Sequence, residues 1–504
     1  MKVKNGIRYE KNGWIYLSIK GNPSECGYAH GYLIAKELKE IFKMLDFAFY
    51  EDYGYKREMF SEIVGAMWGP IIEANHPEHY EEIVGITKGA NAGGTKVTLD
   101  DMIMWNCFAS VDSLFSLVPK LIKDYPELNK KYGELFNEEG GAAHGHGEGG
   151  GSGAMERFKA RAGSDHCTGF MAVGSYTKDG KIICGHNTFD NFITGQYYNV
   201  MMDIKPTKGA RILMQVSPGK ISSETDFYVT SNGFMCTETT IGGFNKFELK
   251  DPICCRIRAA MQYGKSLDEI KDHLVKNNSG DYANAWFVGD TKSNTIMRVE
   301  LGLKYVNVEK KKDGYFIGFN GAYDPRIRNL ECSNVGHFDM RRHQGARHVR
   351  LTQLMEHHKG QIDIKVAEEI MADHHDVYLN KVNPCSRTCC SHYELDDRAF
   401  MSDPGRPKPF QPRGALDGKV CDTTLCKKMS FVARWGTSCG TPFNKTEFCK
   451  RNIIWAYQEP YLHDRPQQPW TEFTIHNGQM NNTVKKKEEK VMQIKKTKKN
   501  KLKL

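Results

Sequence analysis

Residues 167–190 read CTGFMAVGSYTKDGKIICGHNTFD. Two strand-forming runs, 168–176 and 182–186, flank the turn-former Lys178-Asp179-Gly180, a pattern that folds back as an antiparallel hairpin. With a four-residue turn over 177–180, Tyr176 pairs with Lys181, and that register sets Cys167 opposite Asp190. The hairpin follows a stretch, EEGGAAHGHGEGGGSGAMERFKARAG over 138–163, too rich in glycine to build a packed element. Residues 137–166 therefore read as a flexible linker, with His144 and His146 as solvated linker residues rather than metal ligands.

A linker that stops abruptly at a cysteine suits a residue that becomes a new N-terminus. A freed α-amino group has a pKa near about 7.7–8.0, so it can take a proton from its own side chain around neutrality. Cysteine is also the strongest intrinsic nucleophile available. The same residues carry plainer readings: Cys167 as a small buried apolar group, Asp190 as a turn or capping residue, and His186 as a satisfied core histidine.

Outward from the hairpin, strand-like runs continue at 197–204, 211–216, 226–230 and 234–240, separated by short turns such as Ser217-Pro218-Gly219. Helical spacing follows over 253–263 and 266–276, then strands at 285–289, 295–301 and 314–319, and helices at 346–357 and 365–372. Upstream, Ala29, Leu33, Ile34, Leu38, Ile41, Phe42 and Leu45 mark one amphipathic helix from 24 to about 47, with others near 79–89 and 99–108. Runs of strands followed by helices indicate an α+β chain of stacked antiparallel sheets covered by helices. The organisation expected is a helical segment over 1–136, the linker, a catalytic domain over 167–480, and a lysine-rich disordered tail over 481–504.

The 504 residues carry a formal charge of +9, but the lysines of KKKEEK and KKTKKNK in the tail account for much of it. Such a run is a solvated tail, so nucleic-acid binding has no support. No stretch approaches the roughly 20 apolar residues of a membrane span. Residues 1–20 lack the apolar core of a signal peptide, which points to a cytoplasmic or non-classically delivered chain with its fifteen cysteines reduced. Residues 385–392, CSRTCCSH, with His374 and His375 upstream, hold zinc-ligand types without the paired C-x-x-C spacing of structural sites. They read as buried thiols or a disulfide, and no metal or cofactor is assigned.

The motifs together resemble a family. Cys167-Thr168-Gly169 through Gly185-His186-Asn187-Thr188-Phe189-Asp190 looks like the opening hairpin of phospholipase B-like proteins, and of the related penicillin acyltransferase and bile-salt hydrolase enzymes. SPGKISSETDFYVTSNGFMCTETTIGG over 217–243, PFQPRGALDGKV over 409–420, PWTEF over 469–473 and Gly27-Tyr28-Ala29-His30-Gly31 continue the likeness in order. The resemblance implies a four-layer αββα sandwich of the N-terminal-nucleophile (Ntn) hydrolase type, matured by autoproteolysis of the His166–Cys167 bond.

Carried over residue by residue, the resemblance makes Cys167 the nucleophile and His186 the active-site histidine. Asp190 matches the amino-group partner of the bile-salt hydrolase branch, with one residue inserted between. Asn320, in Gly318-Phe319-Asn320-Gly321, matches the oxyanion donor, Arg347 the arginine beside the nucleophile, and Thr240 a position in the same pocket. The implied substrate is an acyl-lipid or amide, with an amidase or acyltransferase and a non-catalytic lipid-binding protein as the alternatives. The chain departs from the family at Phe189, where relatives carry tryptophan, and in lacking the secretion signal of a usually lysosomal or secreted family.

Overall fold

The strand runs read over 168–176 and 182–186 do pair as a hairpin, which lies beside the edge strand of one of two large sheets. The computed structural model describes residues 1–136, 167–333, 336–397, 409–476 and 479–480; the expected linker and tail lie outside the described residues. The first sheet has ten strands in the order β1 (Lys2–Val3), β2 (Gly6–Lys11), β3 (Trp14–Gly21), β6 (Val200–Pro206), β7 (Ile212–Val216), β8 (Phe227–Thr230), β9 (Phe234–Thr240), β10 (Asn284–Asp290), β11 (Thr295–Leu301) and β12 (Val306–Lys311). The second runs β13 (Gly314–Gly318), β4 (Cys167–Val173), β5 (Ile183–Asn191), β17 (Asp417–Asp422), β18 (Ser430–Trp435), β19 (Thr471–His476) and β20 (Gln479–Met480), with β16 (Arg413–Ala415) beside β5. A separate ribbon pairs β14 (His375–Asp376) with β15 (Lys381–Val382).

Every pair is antiparallel except β3 with β6. The chain leaves β3, builds the covering helices and the β4–β5 hairpin of the other sheet, and returns alongside β3 in the same direction. The segment 1–136, expected to be helical, thus also supplies three strands to the first sheet. Its expected single helix is two, α1 (Pro23–Leu33) and α2 (Ala35–Tyr53), broken at Ile34 (φ −117°, ψ 17°). Asn22 caps α1 in a reciprocal capping box with Glu25, and Pro23 opens the first turn. Two further helices, α3 (Arg57–Asn75) and α4 (Pro77–Ala92), lead to α5 (Leu99–Asn106).

The two sheets face each other, with helices outside both. Helix α1 packs on β2 and β3, and the helices Ile253–Tyr263 and Leu267–Val275 reach β8 and β11. On the other side, His343–His357 and Ile364–Met371 cover β13, β5 and β17. There Phe170, Ala172, Ile183 and Ile317 meet Leu351, Leu354, Ile370 and Met371 in a core of their own. Met171, Val173 and Cys184, from the other face of the hairpin, join the core shared with the first sheet. The architecture is the expected four-layer αββα sandwich. No helix among the described residues is long and apolar enough to cross a membrane.

Candidate active site

Side chains alternate along a strand and share a face with the residue directly opposite. The observed register sets Cys167 opposite Thr188, Gly169 opposite His186, and Lys419 of β17 opposite His186 on its other side. The expected pairing of Cys167 with Asp190 is therefore corrected by two residues. Residues Gly174–Tyr176 coil into a short 3-10 turn instead of extending β4, so the loop is longer than the four residues assumed. A two-residue slip preserves the face, and Cys167, Thr188, His186 and Lys419 point together towards the first sheet.

There the Cys167 thiol donates to Oε1 of Glu238 on β9, at 3.5 Å. Glu238 also accepts from Asn284 Nδ2 on β10. Burial, the largest influence, pushes the Glu238 carboxyl up. Burial and the neighbouring Glu238 likewise hold Asp226 well above the carboxylate range, as expected of two buried carboxyls sharing protons. Asp226 sits with φ at +52°, a left-handed conformation uncommon outside glycine, asparagine and aspartate. Burial, then Glu238 and Asp226, pushes the Cys167 thiol well up, with Lys419 opposing. Cys167 is fully buried in the intact chain, yet its surroundings are polar.

Lys419 has no exposed surface either. Its Nζ donates to Thr188 Oγ1 at 2.6 Å and to the Thr225 carbonyl at 3.2 Å, and pairs with Asp417 at 2.9 Å. Burial lowers its pKa against the pull of Asp417. His186 is held neutral by burial and by Lys419, and its ring nitrogens are without a side-chain hydrogen-bond partner among the described residues. One ligand-type atom each from Cys167, His186 and Glu238 lies within 4.8 Å of the others. The three are close enough to transfer protons among themselves or to hold a cation.

Arg347, on the helix His343–His357, reaches the site from the outer layer. Its Nη1 donates to the Cys167 carbonyl and, at 2.9 Å, to Thr168 Oγ1, while Nη2 donates to Asn320 Oδ1 at 2.9 Å. Asn320 follows β13 with φ at +64°, and its amide donates to the Thr240 carbonyl at 2.8 Å. Thr240 closes β9 and donates to the Tyr282 hydroxyl at 3.0 Å. Five of the six expected residues, Cys167, His186, Thr240, Asn320 and Arg347, thus lie in one connected cluster. Asp190 stands two residues beyond Thr188, where it accepts from Tyr198 Oη at 2.6 Å and from the Asn191 amide at 2.7 Å.

Thr188, Asp190, Thr240 and Tyr282 line a cavity of about 160 Å³ whose other walls include Phe49, Phe108, Ile193 and Phe244. Asp52, Asp112, Glu224 and Arg413 line it as well, so the cavity is walled by apolar and charged groups together. Glu238, Asp226, Lys419 and Tyr282 were not singled out from sequence. Glu238 and Lys419 do lie within the CTETT and DGKV stretches already noted, and a charged side chain inside an otherwise buried strand is the signal that marks them.

The family model for Phospholipase B matches residues 78–482, which include every residue of this cluster. The chain belongs to that family. It is 27% identical over 275 residues to "Phospholipase B" of Crotalus adamanteus, covering 48% of this chain and 47% of the relative. Over 281 residues it is 27% identical to human "Phospholipase B-like 1", with the same coverage of 48% and 47%. The chain thus spans about half the length of the curated relatives it matches. A conjugated bile acid hydrolase mutant from Clostridium perfringens aligns with 53% of this chain and 89% of its own at 12% identity and a TM-score of 0.30.

Proposed function

We propose that this phospholipase B family member is a self-processing Ntn hydrolase whose nucleophile is Cys167. The observation that carries the reading is the double hold on Cys167: its thiol on Glu238 across the sheet interface, its carbonyl on Arg347. In maturation, Sγ attacks the carbonyl carbon of His166, and the thiol proton passes to Glu238. The C–N bond then breaks, the nitrogen of Cys167 takes up a proton, and water hydrolyses the thioester. The new α-amine, with a pKa near about 7.7–8.0, then serves as the base for its own thiol.

In turnover the thiolate attacks an acyl ester or amide, and water releases the acyl group. Negative charge develops on the substrate oxygen, and a donor placed there contributes on the order of 100-fold or more; Asn320, oriented by Arg347 and the Thr240 carbonyl, is assigned that role. Neutral His186, within 4.8 Å of the thiol and of Glu238, is assigned to the same proton-handling cluster. Asp190 is assigned, with Tyr198, to the polar end of the cleft, as an electrostatic partner for the freed ammonium. The cavity sets Phe49, Phe108, Ile193 and Phe244 beside Asp52, Asp112, Glu224 and Arg413, a lining with room for both an acyl chain and a polar head; the lipid-type substrate is proposed on the family alone. Incubating the matured protein with phospholipids and with N-acyl amides, and following fatty-acid release, tests this. Release from phospholipid supports it, release from amides alone favours an acylamidase, and binding without release favours a lipid carrier.

A further inference from the structure

A second cluster of ligand-type side chains lies behind the catalytic strand, built from three separate parts of the chain. His374 follows the helix Ile364–Met371, Cys390 and His392 belong to the loop that leads towards β16, and Cys439 follows β18. Their Nδ1 or Nε2 and Sγ atoms all lie within 4.8 Å of one another. We propose that His374, Cys390, His392 and Cys439 hold a structural zinc ion.

The spacing of the four donors argues for an ion between them. Tetrahedral zinc takes nitrogen at about 2.0–2.1 Å and sulfur at about 2.3 Å, which sets neighbouring ligands roughly 3.3 Å apart for N···N and about 3.5 Å for N···S. The observed separations are 3.1 Å between the Nε2 atoms of His374 and His392, and 3.4 and 3.5 Å from His392 Nε2 to the sulfurs of Cys390 and Cys439. Two imidazoles and two thiols in this arrangement select zinc over harder cations.

The surroundings are those of a metal site. The other nitrogen of His392, Nδ1, pairs with Glu394 Oε1 at 2.7 Å, which fixes the tautomer that leaves Nε2 free to ligate. The Cys439 sulfur accepts from the Thr441 amide at 3.4 Å and lies 3.2 Å from the hydroxyls of both Thr437 and Thr441, contacts that suit a thiolate. Cys390 and His392 are fully buried, and Phe189 and Ala415 pack against the two cysteines. Four protein ligands leave no open coordination position, so the role is structural.

The staple would act on the catalytic strand. His392 bridges to Gly414 of β16, and Gly414 pairs with Asp190 of β5. Phe189, between Thr188 and Asp190, packs directly on the cysteine pair. The ion would thus anchor the end of β5 that lines the cleft, adding to the hydrogen bonds from Cys390 to the Asp373 carbonyl and from Ser438 to the Met371 carbonyl that already join these segments.

The test is the metal content of the full chain, produced without a histidine tag and analysed by mass spectrometry for metals. One zinc per chain is expected, retained in Cys167→Ala and lost in the double variant Cys390→Ser/Cys439→Ser. Retention in Cys167→Ala distinguishes this cluster from Cys167, His186 and Glu238. Should the double variant fail to fold, cobalt exchange into the wild-type chain supplies the second readout. Tetrahedral cobalt with a sulfur-to-metal charge-transfer band is expected. A metal-free native chain, with Cys390 and Cys439 disulfide-linked or both freely reactive, would overturn the proposal, as would loss of the zinc in Cys167→Ala.

Discussion

Cys167 on β4 and Glu238 on β9 meet across the interface between the two sheets, with Sγ 3.5 Å from Oε1. The two residues are 71 positions apart in the chain, and only the packing of one sheet on the other joins them. The contact gives the thiol a proton acceptor before any α-amine exists, which self-cleavage requires.

Glu238→Gln keeps the shape and an oxygen that can accept from Asn284 but removes the carboxylate that takes up the proton. General base catalysis contributes about 10²–10⁴-fold, so cleavage before Cys167 is expected to slow by about 100-fold or more. Intact mass spectra taken over time on freshly purified chain measure it, and an unchanged rate removes Glu238 from the mechanism.

Arg347→Lys retains the charge and loses the planar fork that spans Cys167, Thr168 and Asn320. A lysine cannot make these contacts together. The expected loss is about 2–3 kcal/mol of stability, read as a lower denaturation midpoint, with turnover of the matured protein reduced on the order of 10-fold.

Gly27 and Gly31 of α1 press against α4. A Cβ at Gly31 would stand 2.1 Å from the Ile86 carbonyl oxygen, and one at Gly27 2.1 Å from that of Glu82. Alanine gains about 1 kcal/mol in helix propensity, but backbone contacts this close cannot yield locally. Gly31→Ala is expected to cost a net of about 1–3 kcal/mol, measurable by urea unfolding.

Buried His30 accepts the Gly219 amide on Nε2 at 3.0 Å. Burial, helped by Arg258, lowers its pKa from 6.5 to about 3. Between those values the unfolded chain binds a proton that the folded chain refuses. This contribution is therefore full above about pH 6.5 and drains away as the pH falls, by up to about 1.4 kcal/mol per pH unit. His30→Gln, which can still accept from Gly219, is expected to flatten the slope of unfolding free energy between pH 6.5 and 5; an unchanged slope would contradict the assignment.

The β4–β5 hairpin was legible because Lys178-Asp179-Gly180 punctuates two clear strand runs. Its register was not, since nothing in Gly174-Ser175-Tyr176 announces a 3-10 turn. The β2–β3 hairpin passed unread although Asn12-Gly13, with φ of +51° and +80°, is a strong short-range hairpin signal. Strands β16 and β17 escaped for a different reason: Arg413, Asp417 and Lys419 break the apolar pattern, and they are buried with Lys419 paired to Asp417 and Arg413 beside Asp190. The same logic hid Glu238. Charge in a strand reads as a solvent face until the facing sheet is known. His374 was placed beside Cys390 and His392 as a ligand type, but Cys439 could not be joined to them by spacing, because the fold rather than the local chain brings it there.

N-terminal sequencing of the purified protein, paired with its intact mass, tests the central claim most directly. Two fragments are expected, the second beginning at Cys167, and Cys167→Ala should give a single uncut chain without activity. Turnover by a full-length chain whose Cys167 is still joined to His166 would contradict the account.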